Sequence, residues 1–80
     1  MAEPRFLVYT RHDCALCDEF ILEQGLALEP TGIVFAIRDV DADADAARRY
    51  GLKVPVLTCD GSVVCYGRLD AGAVARLIRR

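Results

Sequence analysis

Long apolar runs are what this sequence most plainly lacks. None approaches the ~20 residues that a membrane-spanning helix requires. Near the start stand Glu3, Pro4 and Arg5, where a secretory leader would need an unbroken apolar core. Membrane insertion and export are therefore not expected, and the default location is the cytoplasm. An excess of one charge is missing too: 10 Lys and Arg face 12 Asp and Glu, for a net charge of −2. That balance removes nucleic acid and anionic membrane from the expected partners. The arginines near the C-terminus, Arg76, Arg79 and Arg80, read as complements to the dipole of a final helix. Repeats, linkers and low-complexity segments are also absent, so residues 1–80 read as one domain.

What is present is ample apolar material and four cysteines. The chain has 80 residues, 54% hydrophobic and 28% charged, which describes a globular chain near the smallest size that a core alone can hold. In a reducing compartment cysteines stay as thiols unless they are catalytic or bind metal. Here they stand at positions 14, 17, 59 and 65, and the first two form Cys14-Ala15-Leu16-Cys17.

That motif follows the apolar run Phe6-Leu7-Val8-Tyr9-Thr10 and opens a stretch that reads as helix. Cysteines three apart at a helix start share one face of the first turn. Their Cα atoms would lie about 5–6 Å apart, within disulfide range. Cys14 would occupy the positive end of the helix dipole, beside unsatisfied N–H groups that favour thiolate over thiol. Arg11 adds a cation nearby, while Asp13 pulls the other way. The combination is that of thiol–disulfide exchange, with Cys14 attacking and Cys17 closing the pair.

Along the chain, Arg5–Thr10 reads as a buried strand and Cys14 to about Leu28 as a helix. The helix buries Leu16, Phe20 and Ala27, with Cys17, Ile21 and Leu28 beside them. Glu29-Pro30-Thr31-Gly32 ends it, and Ile33–Ile37 reads as a second buried strand. The acidic residues of Asp39–Asp45 suit the cap and first turn of a short helix over Ala44–Tyr50, with Gly51 as its stop. Val56–Cys59 and Ser62–Tyr66 flank Asp60-Gly61, a strong hairpin signal. A regular hairpin would put Leu57, Cys59, Ser62 and Val64 on one face, and Val56, Thr58, Val63 and Cys65 on the other. Cys59 and Cys65 would then be separate core residues. A last helix, roughly Asp70–Arg79, starts with Asp70 as cap and buries Val74, Leu77 and Ile78. The order is β-α-β-α-β-β-α: a four-stranded mixed sheet with three helices, built on a right-handed parallel crossover and an antiparallel hairpin.

This order, with Cys14-Ala15-Leu16-Cys17 between first strand and first helix, resembles the thioredoxin superfamily in its minimal glutaredoxin form. Tyr9-Thr10-Arg11-His12-Asp13-Cys14-Ala15-Leu16-Cys17 is similar to the glutaredoxin active-site segment, with a basic residue just ahead of the first cysteine. Val54-Pro55-Val56 resembles the segment that carries a cis-proline facing the active site. Tyr66-Gly67-Arg68-Leu69-Asp70 is similar to the turn where glutaredoxins hold the γ-glutamyl end of glutathione. The resemblance implies a cytoplasmic, monomeric thiol–disulfide oxidoreductase that binds no resident cofactor and takes glutathione or a protein disulfide as partner. It implies Cys14 and Cys17 as catalytic, and Arg11, Val54, Pro55, Gly67 and Asp70 around the substrate. Three departures bear on glutathione. Ala15-Leu16 replaces Pro-Tyr, Lys53 replaces the threonine of Thr-Val-Pro, and Tyr66-Gly67 replaces a double glycine. Thioredoxin's tryptophan is missing as well.

Other readings of the same thiols give way. Zinc needs further ligands, and His12, Cys59 and Cys65 offer no matching spacing. A soft-metal carrier for Cu(I) also sets Cys-x-x-Cys between a first strand and helix, but such domains end in a strand and carry methionine where His12 stands. This carrier is the rival function. Asp41, Asp43 and Asp45 mimic an EF-hand start, yet Ala46 and Leu52 occupy the positions that need glycine and glutamate.

Overall fold

Two hydrophobic strands can pair in parallel only if a long connection crosses the sheet between them. Here that connection is a helix. The computed structural model describes residues 4–78. Strand β1 (Phe6–Thr10) leads into helix α1 (Ala15–Leu28), which returns to β2 (Phe35–Asp39). Helix α2 (Ala44–Tyr50), the hairpin β3 (Val56–Cys59) and β4 (Ser62–Tyr66), and helix α3 (Ala71–Ile78) follow. The sheet order is β2-β1-β3-β4, with β1 and β2 parallel and the other pairs antiparallel. This is the four-stranded mixed sheet with three helices expected from the sequence.

Alternation along the strands divides the side chains between two layers. Phe6 and Val8 of β1, with Leu57 and Cys59 of β3, pack against Phe20 and Leu28 of α1 and Val74 of α3. Leu7, Tyr9 and Thr58 turn to the opposite face, where they line one cleft with Ala46 and Tyr50 of α2. The Tyr9 and Tyr50 rings stack at 4.9 Å between centroids. One helix therefore covers one face and two cover the other.

Several expectations hold closely. Helix α2 spans the expected residues, capped by Asp43, whose Oδ1 accepts the Asp45 N–H at 2.9 Å. Asp70 caps α3, its Oδ1 accepting the Ala73 N–H at 3.0 Å. The hairpin turn has φ +52° at Asp60 and +86° at Gly61, the paired positive angles of a type I′ turn. The expected end of the last helix at Arg79, together with Arg80 and Glu3, lies outside the described residues. Among the described residues no helix is long and apolar enough to cross a membrane.

Three details differ. The second strand runs Phe35–Asp39 rather than Ile33–Ile37 and is not buried throughout: Ile37 is 49% exposed, and Val34 just ahead of the strand is 68% exposed. It is an edge strand, aligned by pairing Phe6 with Phe35, so Ile33 packs on the core from the preceding loop instead. In α1 the buried row is Cys17, Phe20, Gln24 and Leu28, while Leu16 is 40% exposed. The helix carries more apolar residues than its inner face can take. Gly51 ends α2 as expected, in a right-handed conformation (φ −56°). A side chain there would collide with the Ala47 carbonyl and crowd the Arg11 guanidinium. Finally, a β-bulge interrupts the hairpin. Leu57 pairs with Cys65 and Thr58 with Val63, leaving Val64 as the extra residue. Cys65 therefore faces the same layer as Cys59, not the opposite one.

Candidate functional site

The parallel and antiparallel registers bring one end of every strand together. Thr10 pairs with Asp39, Tyr9 with Val56, and Val56 with Tyr66. The loop holding Arg11 to Cys14, the Val54-Pro55 segment and the Gly67 turn therefore emerge at the same end of the sheet. The Gly67 N–H donates to the Pro55 carbonyl at 2.8 Å and ties two of these together. Gly67 adopts φ +77°, a conformation that favours glycine. The Val54–Pro55 bond is cis, as the family resemblance implies. Pro55 directly precedes β3, which is an interior strand and not an edge.

Cys14 is the N-cap of α1, with extended backbone angles (φ −116°, ψ 100°). Its Sγ accepts the Cys17 N–H at 3.1 Å, the bond a serine or aspartate makes at this position. An orphan donor at the helix start is thus spent on sulfur. The sulfurs of Cys14 and Cys17 sit at disulfide distance, with Cα atoms 5.2 Å apart. Their surroundings differ. Cys14 is partly exposed, whereas Cys17 is 1% exposed beneath the first turn. Asp13 reaches this geometry through φ +55°, which a short polar residue tolerates.

Arg11, given the task of supporting the thiolate, has other partners. Its Nε and Nη2 donate to the two oxygens of Asp41 at 2.9 and 3.0 Å, and its Nη1 donates to the Gly51 carbonyl at 2.6 Å. The hydrogen bonds to Asp41 push the guanidinium's pKa further up and hold the Asp41 carboxyl below the usual carboxylate range. From the sequence, Asp41 reads as part of a helix start and of an EF-hand mimic, not as a partner of Arg11. Its signal is positional, since the β1–β2 register sets Arg11 and the segment after Asp39 side by side.

Asp70 serves α3 with its carboxylate, and its N–H donates to Cys65 Sγ at 3.5 Å. Burial pushes the Cys65 thiol up, the bond from the Asp70 N–H pulls it down, and the Asp70 carboxylate adds to the rise. Cys59 lies at the other end of the sheet, where Arg5 Nη2 approaches its Sγ at 3.8 Å. The larger cavity, about 500 Å³, is at that end and away from the paired cysteines. Beside α1 there is a small cleft of about 120 Å³ between Leu16, Glu19, Phe20 and Gly67. Size and chemistry disagree here, and the chemistry decides: only the paired cysteines bring two sulfurs into bonding range. No three His, Cys, Asp or Glu side chains among the described residues converge on a metal-sized point. Asp39, Asp43 and Asp45, part of the expected EF-hand mimic and its flank, are spent on caps and on Arg48 and Arg49.

Comparison with known proteins agrees with this arrangement. No curated protein sequence matches the chain. Among solved structures it is similar to protein Ne2328 from Nitrosomonas europaea, at 25% identity and TM-score 0.80, covering 96% of this chain and 94% of that one. It is also similar to protein XcR50 from X. campestris, at 28% identity and TM-score 0.69, covering 92% and 95%. The oxidised thioredoxin from Plasmodium falciparum shares the fold alone, at 18% identity and TM-score 0.53, covering 95% and 80%. The minimal thioredoxin-like fold is therefore established. The model of the glutaredoxin-like domain family (DUF836) matches residues 5–79, nearly the whole sequence, and the chain belongs to that family.

Proposed function

We propose that this chain is a thiol–disulfide oxidoreductase in which Cys14 attacks and Cys17 resolves. The observation that carries the reading is the asymmetry of the pair. Cys14 is partly exposed and receives a helix N-terminal N–H at 3.1 Å, while Cys17 is buried within reach of it. A thiolate at Cys14 attacks a substrate disulfide and displaces one substrate sulfur as a thiolate. The Cys17 thiol then loses its proton and attacks Cys14 Sγ, releasing the second substrate sulfur. The protein is left oxidised as Cys14–Cys17 and the substrate reduced by two electrons. Reduction of the pair by two glutathione molecules, or by another dithiol, would complete the cycle. In this reading Val54, Pro55, Gly67 and Asp70 border the groove that receives glutathione or an extended protein disulfide. The free thiols of Cys59 and Cys65 beside an exchanging pair fit a reducing compartment, and we place its work in the cytoplasm.

Trapping tests the assignment. Cys17→Ser should accumulate a mixed disulfide on Cys14 when offered a glutathione mixed disulfide or an oxidised protein, and Cys14→Ser should trap nothing. An adduct on Cys17 in the Cys14→Ser protein would reverse the roles. Retention of one Cu(I) against competing glutathione, with no disulfide formed, would replace exchange by the soft-metal carrier.

A further inference from the structure

Three separate pieces of chain meet at the Arg11 guanidinium. They are the loop leading to Cys14, the short 3-10 turn Val40–Ala42 that carries Asp41, and Gly51 at the end of α2. Every terminal nitrogen and Nε of Arg11 is engaged, the Asp41 contact is bidentate, and Gly51 leaves the space that the guanidinium needs. Bidentate pairing fixes direction as well as distance. We propose that Asp41 and Gly51, acting through Arg11, are positioning residues that hold the Cys14 loop so that the Cys17 N–H points at the Cys14 sulfur.

Two features argue for positioning rather than for direct charge support by Arg11. The cation is neutralised at contact distance by Asp41, so the pair presents little net field a few ångströms beyond it. Its donors point across to the second layer of the molecule, not along the loop. The thiolate has its own donor in the Cys17 N–H and the start of α1. That donor works only while Cys14 keeps the extended N-cap conformation. The residues between Arg11 and Cys14 include His12 and Asp13, and Asp13 sits at positive φ, so this loop gains little from its own backbone preferences. An anchor at its start is what the geometry supplies.

This inference rests on the exchange reading for its biological meaning, but its test needs no substrate. Individual alkylation rates of Cys14 are measured against pH, by mass spectrometry of the reduced protein, in Arg11→Gln, Asp41→Asn and the double variant. His12 and Asp13 are unchanged throughout, so their fields cancel in the comparison. Positioning predicts that both single variants raise the Cys14 pKa and slow its alkylation at neutral pH roughly three- to tenfold, as half to one pKa unit requires. The double variant should lose no more than either single, because the two residues act as one unit. Asp41→Glu, which keeps the charge and can re-form the pair, should recover part of the rate. Opposite signs, with Asp41→Asn speeding alkylation, would overturn the proposal and make Arg11 a direct electrostatic support. Unchanged Cys14 titration with a lowered Tm would overturn it too, leaving the pair a staple of the fold. If either variant fails to fold, Arg11→Lys provides the reading: it keeps the charge but loses the fork, so positioning predicts a raised Cys14 pKa and direct support an unchanged one.

Discussion

At the scale of single residues, the three cysteines besides the buried Cys17 are separated by their surroundings. Cys14 has a helix N-terminus and an N–H donor, Cys65 is pushed up by burial, and Cys59 is 7% exposed under Arg5. In the reduced protein near neutral pH, iodoacetamide should therefore label Cys14 first and Cys65 and Cys59 much more slowly. Equal rates at Cys14 and Cys65 would remove the basis for calling Cys14 the nucleophile. The place of Cys14 at the helix start was legible in the sequence, because a strand, a polar break and a helical pattern bracket it. Gln24 was not. It is 0% exposed in the inner row of α1, and neither side-chain polar atom has a hydrogen-bond partner among the described residues. Hydrophobic periodicity cannot announce a polar residue at a core position. Gln24→Met keeps the volume and removes two unpaired polar atoms, which should stabilise the protein by about 1–2 kcal/mol. At about 4–8 °C per kcal/mol for a domain of this size, thermal unfolding would show it plainly. A lower Tm would mean that the amide is satisfied in solution.

At the scale of elements, local chemistry and tertiary accommodation separate what could be read from what could not. Asp60-Gly61 could be read because a type I′ turn needs positive φ twice, and few residue pairs offer it. A side chain at Gly61 would meet nothing within 4 Å, so Gly61→Ala isolates the backbone term. The loss should be about 1–2 kcal/mol, seen as a lower midpoint in denaturant without a change in slope. The bulge at Val64 could not be read, since Ser62-Val63-Val64-Cys65-Tyr66 alternates no differently from a regular strand. It turns Cys65 toward the layer that holds Cys59, so facing no longer keeps these thiols apart. Register still does. Cys59 pairs with Ser62 and Leu57 with Cys65, which makes the two cysteines diagonal neighbours at roughly 7–8 Å, beyond ordinary disulfide reach. Oxidation by glutathione disulfide should give a single Cys14–Cys17 bond on peptide mapping. A Cys59–Cys65 bond would mean that the bulge slides. The second strand departs from its expected span for a related reason: its apolar run is shared between a loop residue that reaches the core and an edge strand covered on one face.

At the scale of the whole molecule, the candidate site is one end of the sheet and not a stretch of sequence. The Cys14–Cys17 motif and the Val54-Pro55 and Gly67 segments could be found by pattern, yet the Arg11–Asp41 contact becomes visible only when β1 and β2 are aligned in parallel. That contact also joins the loop after β1 to the turn after β2, so its charge state is a property of the fold. Asp41 has its carboxyl held below the ordinary range by the Arg11 hydrogen bonds. A group depressed in the folded state adds stability above its unfolded pKa, about 3.9 for aspartate, and loses it as pH falls through the folded value. The pair should thus stay closed from neutral pH down to about pH 4 and open only below it. Two consequences follow for measurement. The pH profile of exchange above about pH 5 should report thiol ionisation with no inflection from Asp41. Asp41→Asn should lower the Tm at neutral pH, and the gap from the parent protein should narrow as pH falls below the unfolded value and close once the Asp41 carboxyl is protonated in the folded protein. The other carboxylates titrate in both proteins and cancel in the difference. A gap of constant size down to the lowest pH would assign the loss to hydrogen-bond geometry alone, and a gap that widens in acid would mean that Asp41 is not held low in the folded protein.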